Sequence, residues 1–154
     1  MYSLDDLLAL DSDVTEIIFN YRLLNSPSFT VLDLSRFHSV RRIEVGHDSF
    51  MYVQEVKMIG LSELESVEIG MNSFTQIKNG GSGNYPNRHF YLKNCPKLKS
   101  LKMGRYSFSD YSVCEIESCG LEVIEIGYVN YLNEASWNFR YASLELKSIL
   151  IHSE

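Results

Sequence analysis

The sequence predicts a β-rich solenoid, a right-handed coil with about 24 residues per turn and two short parallel strands in each turn. Three observations predict it. A glycine-led segment recurs as Gly46-His-Asp-Ser-Phe50, Gly70-Met-Asn-Ser-Phe74, Gly104-Arg-Tyr-Ser-Phe108 and Gly127-Tyr-Val-Asn-Tyr131. The pattern apolar-x-x-apolar-x-apolar precedes each of these glycines and returns once more within each period. Alanine, the best helix former, stands only at positions 9, 135 and 142.

The elements follow in chain order. Ser3 precedes Leu4, Leu7 and Leu8 at helical spacing, with Asp5 and Asp6 in the first turn, so a short capping helix is expected there. Residues 1–28 form an N-terminal cap or an atypical first coil, with Val14, Ile17 and Phe19 as a weak copy of the pattern. Residues 29–146 carry the repeats. One set of strands centres on Val40-Ile43-Val45, Leu64-Val67-Ile69, Leu98-Leu101-Met103 and Leu121-Ile124-Ile126. The other centres on Phe29-Leu32-Leu34, Val53-Val56-Met58, Asn87-Phe90-Leu92, Tyr111-Cys114-Ile116 and Tyr141-Leu144-Leu146. Apolar-x-apolar spacing is the period of a strand with one buried face. The glycines lie 24, 34 and 23 residues apart, and the surplus falls in 76–87, QIKNGGSGNYPN, a loop by composition. Asn133–Tyr141, with Trp137, reads as an irregular crossing, and residues 147–154 as the C-terminal end of a single domain.

Stacked turns place equal letters in columns. The glycines are expected to bend the chain, with positive φ. Phe50, Phe74, Phe108 and Tyr131 are expected to form an internal spine of rings. Phe37, Leu61, Cys95 and Cys119 share a corner, which puts two thiols in adjacent turns of an apolar slot, as small hydrophobes or as an interlayer disulfide. Outward positions read Ile18, Glu44, Glu68, Lys102 and Glu125 along one ladder, and Asp33, Lys57, Tyr91, Glu115 and Glu145 along the other.

These residues resemble the leucine-rich repeat superfamily, and within it the BspA-like repeats of surface antigens. The resemblance rests on L-E-S-V-E-I-G-M-N-S-F at Leu64–Phe74 and L-K-S-L-K-M-G-R-Y-S-F at Leu98–Phe108, set against L-x-x-I-x-I strands and I-G-x-x-A-F turns. It covers roughly residues 29–146 and departs in its 24-residue period, in Ser where the pattern has Ala before Phe, and in the inserted loop. It implies a non-catalytic binding scaffold and carries no active-site residues.

Composition narrows the function further. The 154 residues are 45% hydrophobic and 22% charged, which suits one folded domain. Net charge is -6, and Asp5, Asp6, Asp11, Asp13 and Glu16 supply most of it. No basic face is offered to nucleic acid. No apolar run is long enough to cross a membrane as a helix. The N-terminus lacks the basic stretch of a secretory leader, so a cytoplasmic place is expected if Met1 is native, and a surface or secreted one if the chain belongs to a longer protein. Scattered His and an odd number of Cys suggest no metal or cofactor site. The charged residues repeat with the coil instead of converging, which argues against a carbohydrate-active β-helix enzyme. The expected function is protein binding through a flat strand face, with Tyr91, Arg105, Tyr106, Tyr128, Glu44, Glu68, Lys102 and Glu125 as contact residues. The alternative is a structural protein that associates with itself through ends or strand edges.

Overall fold

The structure is a computed structural model that describes residues 3–77, 87–127, 138–139 and 142–147. Ser3 opens the short helix α1 (Leu4–Ala9) with a reciprocal cap: its hydroxyl accepts from Asp6 N at 3.1 Å, and Asp6 Oδ2 accepts from Ser3 N at 3.0 Å. Leu7 is the buried residue of α1, and Arg36 Nη2 donates to Leu7 O at 2.9 Å. That bond ties the helix to the chain that follows the second strand.

Ten strands account for most of the remaining described order. They are β1 (Glu16–Phe19), β2 (Val31–Asp33), β3 (Arg42–Val45), β4 (Glu55–Ile59), β5 (Ser66–Ile69), β6 (His89–Cys95), β7 (Ser100–Met103), β8 (Val113–Cys119), β9 (Val123–Ile126) and β10 (Ser143–Lys147). Consecutive strands alternate between two five-stranded sheets, ordered β1-β3-β5-β7-β9 and β10-β8-β6-β4-β2. Every neighbouring pair is parallel. The two strand types expected from the sequence thus each build one sheet. Inward side chains of both sheets join one buried cluster, with Ile43, Val56, Leu92 and Leu101 fully buried.

Backbone order between the sheets differs from the sequence expectation in one respect. Gly46, Gly70 and Gly104 do not carry positive φ; Asp48, Asn72 and Tyr106 do, at 57°, 57° and 66°, as do Phe50, Phe74 and Phe108 at 61°, 57° and 58°. Of the four recurring glycines only Gly127 is left-handed, with φ 80°. The first three are required by close approach instead. A Cβ on Gly104 meets Met71 N at 2.5 Å, and one on Gly70 meets His47 N at 2.6 Å. The left-handed residues aim their N–H groups at neighbouring periods: Asp48 N at Met71 O (2.9 Å), Asn72 N at Arg105 O (3.0 Å) and Phe74 N at Ser49 O (2.8 Å).

Two ladders and one buried ion pair hold these turns in step. Ser73 Oγ donates to Gly46 O at 2.8 Å and accepts from Ser49 N at 3.3 Å; Ser49 and Ser107 make the corresponding bonds one period before and after. The serines that precede Phe50, Phe74 and Phe108 are therefore buried and hydrogen-bonded. Beside them the rings of Phe50, Phe74 and Phe108 stack at 4.9 and 4.8 Å, tilted by 7° and 5°. Phe139 continues the stack at 4.9 Å, while Tyr131, the expected fourth member, lies outside the described residues. Finally, Asp110 Oδ2 accepts from Arg88 Nη1 and from Gln76 N at 3.0 Å, and Arg88 Nη2 donates to Met51 O and Val53 O. This buried pair grips both ends of the inserted segment, whose residues 78–86 lie outside those described.

Candidate interaction surface

An exposed column forms where strand alternation turns the same position outward in every second strand. Cα register aligns Ile18, Glu44, Glu68, Lys102 and Glu125 across β1, β3, β5, β7 and β9, as the sequence spacing places them. Like charges stacked in adjacent strands repel, so Glu44 beside Glu68 is locally unfavourable. Arg42 meets the Glu44 carboxylate from within β3, and Lys102 Nζ lies 3.5 Å from Glu125 Oε1. Among the described residues Glu68 has no ion-pair partner, so its carboxylate faces solvent.

The turns past this column shape a shallow cavity of about 420 Å³. Glu68, Lys102, Glu125, His47, Met71 and Arg105 are among the residues that line it. His47 Nδ1 accepts from Met71 N at 2.7 Å, which places the proton of the neutral ring on Nε2. Met71 is 38% exposed, an apolar side chain beside charged ones. Arg105 differs from its expected place at the surface: it is only 8% exposed. Its Nη2 donates to Tyr106 Oη at 2.9 Å, and its guanidinium lies 5.0 Å from the Tyr106 ring. The two form a rigid unit at the wall of the cavity.

Tyr91 belongs to the other sheet. Its column is Asp33, Lys57, Tyr91, Glu115 and Glu145, again in the expected register. Its hydroxyl lies 2.9 Å from His89 Nδ1, and Lys93 Nζ lies 5.2 Å from its ring. Burial, then the Glu115 and Glu55 carboxylates, push its phenol above the ordinary value. The Glu55 carboxylate holds the proton on Lys57 by hydrogen bond and charge, and Glu115 holds that on Lys93. This face is largely self-neutralised, and it does not share the cavity with Glu68, Lys102 and Arg105. Tyr128 lies outside the described residues.

Sequence reasoning missed His47 as an acceptor and Arg88–Asp110 as a buried pair. The recurring Ser before Phe was a signal for the hydroxyl ladder. Arg88 carried none, since its equivalents by register are Gln54 and Ser112. No family model, curated protein or solved structure matches the chain.

Proposed function

We propose that the protein is a non-catalytic protein-interaction module, a leucine-rich-repeat-like solenoid of the BspA-like kind, which binds through the outward face of the β1-β3-β5-β7-β9 sheet. One observation carries this reading: Glu44, Glu68, Lys102 and Glu125 stand in register on rigid strands beside the cavity between Glu68 and Arg105. Side chains on a parallel sheet lose little freedom on binding, so affinity comes from preorganised groups. The order β1-β3-β5-β7-β9 facing β10-β8-β6-β4-β2 supports a coil, because each period adds one strand to each sheet. The test is an array of acidic, neutral and basic peptides probed with labelled protein. Basic peptides are expected to bind, with loss in Glu68→Lys and Glu125→Lys but not in Tyr91→Phe. Equal binding of all classes by wild type and both charge reversals overturns the reading.

A second reading, self-association, draws on β9. Ile124 and Ile126 are each 37% exposed, whereas the equivalent inward residues Ile43, Val45, Val67, Ile69, Leu101 and Met103 are at most 3% exposed. Apolar side chains and a strand edge together recruit another copy. Sedimentation equilibrium should show mass rising with concentration, and a single monomeric species throughout would remove this reading.

A further inference from the structure

We propose that Cys95 and Cys119 are a peroxide-responsive dithiol that closes into a disulfide stapling β6 to β8. They are the last residues of those strands and stand directly opposite one another in the Cα register. Adjacent parallel strands lie about 4.8 Å apart, inside the Cα separations of about 4.4–6.8 Å that disulfides span. Both sulfurs are free and fully buried, in the corner column above Phe37 and Leu61. Each thiol donates to backbone carbonyls in the same pattern: Cys95 Sγ to Lys93 O at 3.3 Å and Met58 O at 3.6 Å, Cys119 Sγ to Glu117 O at 3.4 Å and Leu92 O at 3.6 Å. The residues just before them, Asn94 and Ser118, are left-handed at φ 55° and 54°. The two thiols therefore sit at matched bends where the strands end.

The neighbouring Cys119 sulfur, then burial, push the Cys95 thiol up, and the neighbouring Cys95 sulfur lowers that of Cys119. Either sulfur can open the reaction, and the case of Cys119 stands for both. Its thiolate attacks one oxygen of hydrogen peroxide; the O–O bond breaks, hydroxide leaves and takes a proton to become water, and Cys119 becomes a sulfenic acid. The Cys95 sulfur then attacks the Cys119 sulfur, the S–O bond breaks, and a second water leaves. Two electrons pass from the sulfur pair to the peroxide. A small oxidant is required because neither sulfur touches solvent, so it enters when the corner opens. Cys114 stays apart: it lies in a different core column, and burial pushes its thiol up to about 12.

The experiment treats the reduced full chain with hydrogen peroxide, quenches, and measures intact mass under denaturing, non-reducing conditions. The expected result is a loss of about 2 Da, a proteolytic peptide linking Cys95 to Cys119, and Cys114 still open to alkylation. The thermal midpoint should rise by about 5 °C, since the crosslink restricts the unfolded chain. Cys119→Ala should abolish the mass loss, and Cys114→Ala should keep it. Three alkylated thiols after exposure overturn the proposal. So does stable addition of oxygen to either sulfur, or a disulfide that involves Cys114 or a second chain.

Discussion

Two glycines separate backbone conformation from backbone contact. Gly60 has φ 71° and open space where a Cβ would stand; Gly104 lacks positive φ but has Met71 N 2.5 Å from that point. Gly60→Ala should therefore cost about 1 kcal/mol, the penalty of a left-handed alanine. Gly104→Ala should cost about 3 kcal/mol or more, because two stretches of backbone must part. Denaturant unfolding of both variants checks the order, and a larger loss at Gly60 would show that conformation, not contact, governs these turns. The serines test a neighbouring idea. Ser73→Ala leaves Gly46 O and Ser49 N without the hydroxyl between them, at a cost of about 1–3 kcal/mol. A change below about 0.5 kcal/mol would mean water replaces the hydroxyl without loss. The repeating glycine was legible in the letters, but its reason was not, since a sequence shows which residue recurs and not which atom must be missing. Asp48 and Asn72 did offer a clue, as Asp and Asn tolerate left-handed backbone better than most residues.

Among the elements, the ring stack couples one period to the next. Phe74 lies between Phe50 and Phe108 at 4.9 and 4.8 Å and is fully buried. Phe74→Ala should cost about 3–5 kcal/mol in the same unfolding measurement, and a value near zero would remove the stack as a source of stability. The strain of three left-handed phenylalanines is offset by this stacking and by their N–H bonds to the preceding period. The Arg88–Asp110 pair acts at a single place instead. Asp110→Ala leaves a buried guanidinium beside Tyr111 without its carboxylate, which should cost about 3–5 kcal/mol. Replacing both partners by Met and Leu should cost less than the single change, and the reverse order would show the pair to be net stabilising. Strands were legible because alternation repeats five times over; this pair was not, because it occurs once and its members are 22 residues apart.

For the whole molecule, legibility follows periodicity. The charged columns came out in the expected register because a strand offset applies to every residue of the strand at once. Arg105 came out buried, with Tyr106 among the groups against it, and no period reports that. Tyr91 separated from Arg105 because adjacent strands of the chain go to opposite sheets. The same core predicts how the molecule responds to alkali. Burial pushes the Cys114 thiol from 9.0 to about 12 and the Tyr111 phenol upward, the Cys119 sulfur and burial raise the Cys95 thiol, and the Glu115 carboxylate raises Lys93. In each case the folded chain holds its proton at a pH where the unfolded chain has released it. The resulting stability is fully present below the unfolded values and is lost as pH climbs through the folded ones. For Cys114 that interval runs from 9.0 to about 12. Unfolding free energy should hold steady up to about pH 9 and then fall, by at most about 1.4 kcal/mol per pH unit for each group. Cys114→Ala should lessen the decline between pH 9 and 10, where Cys95 supplies the remainder, before Tyr111 and Lys93 contribute. An unchanged slope in that variant would show that Cys114 does not govern the onset.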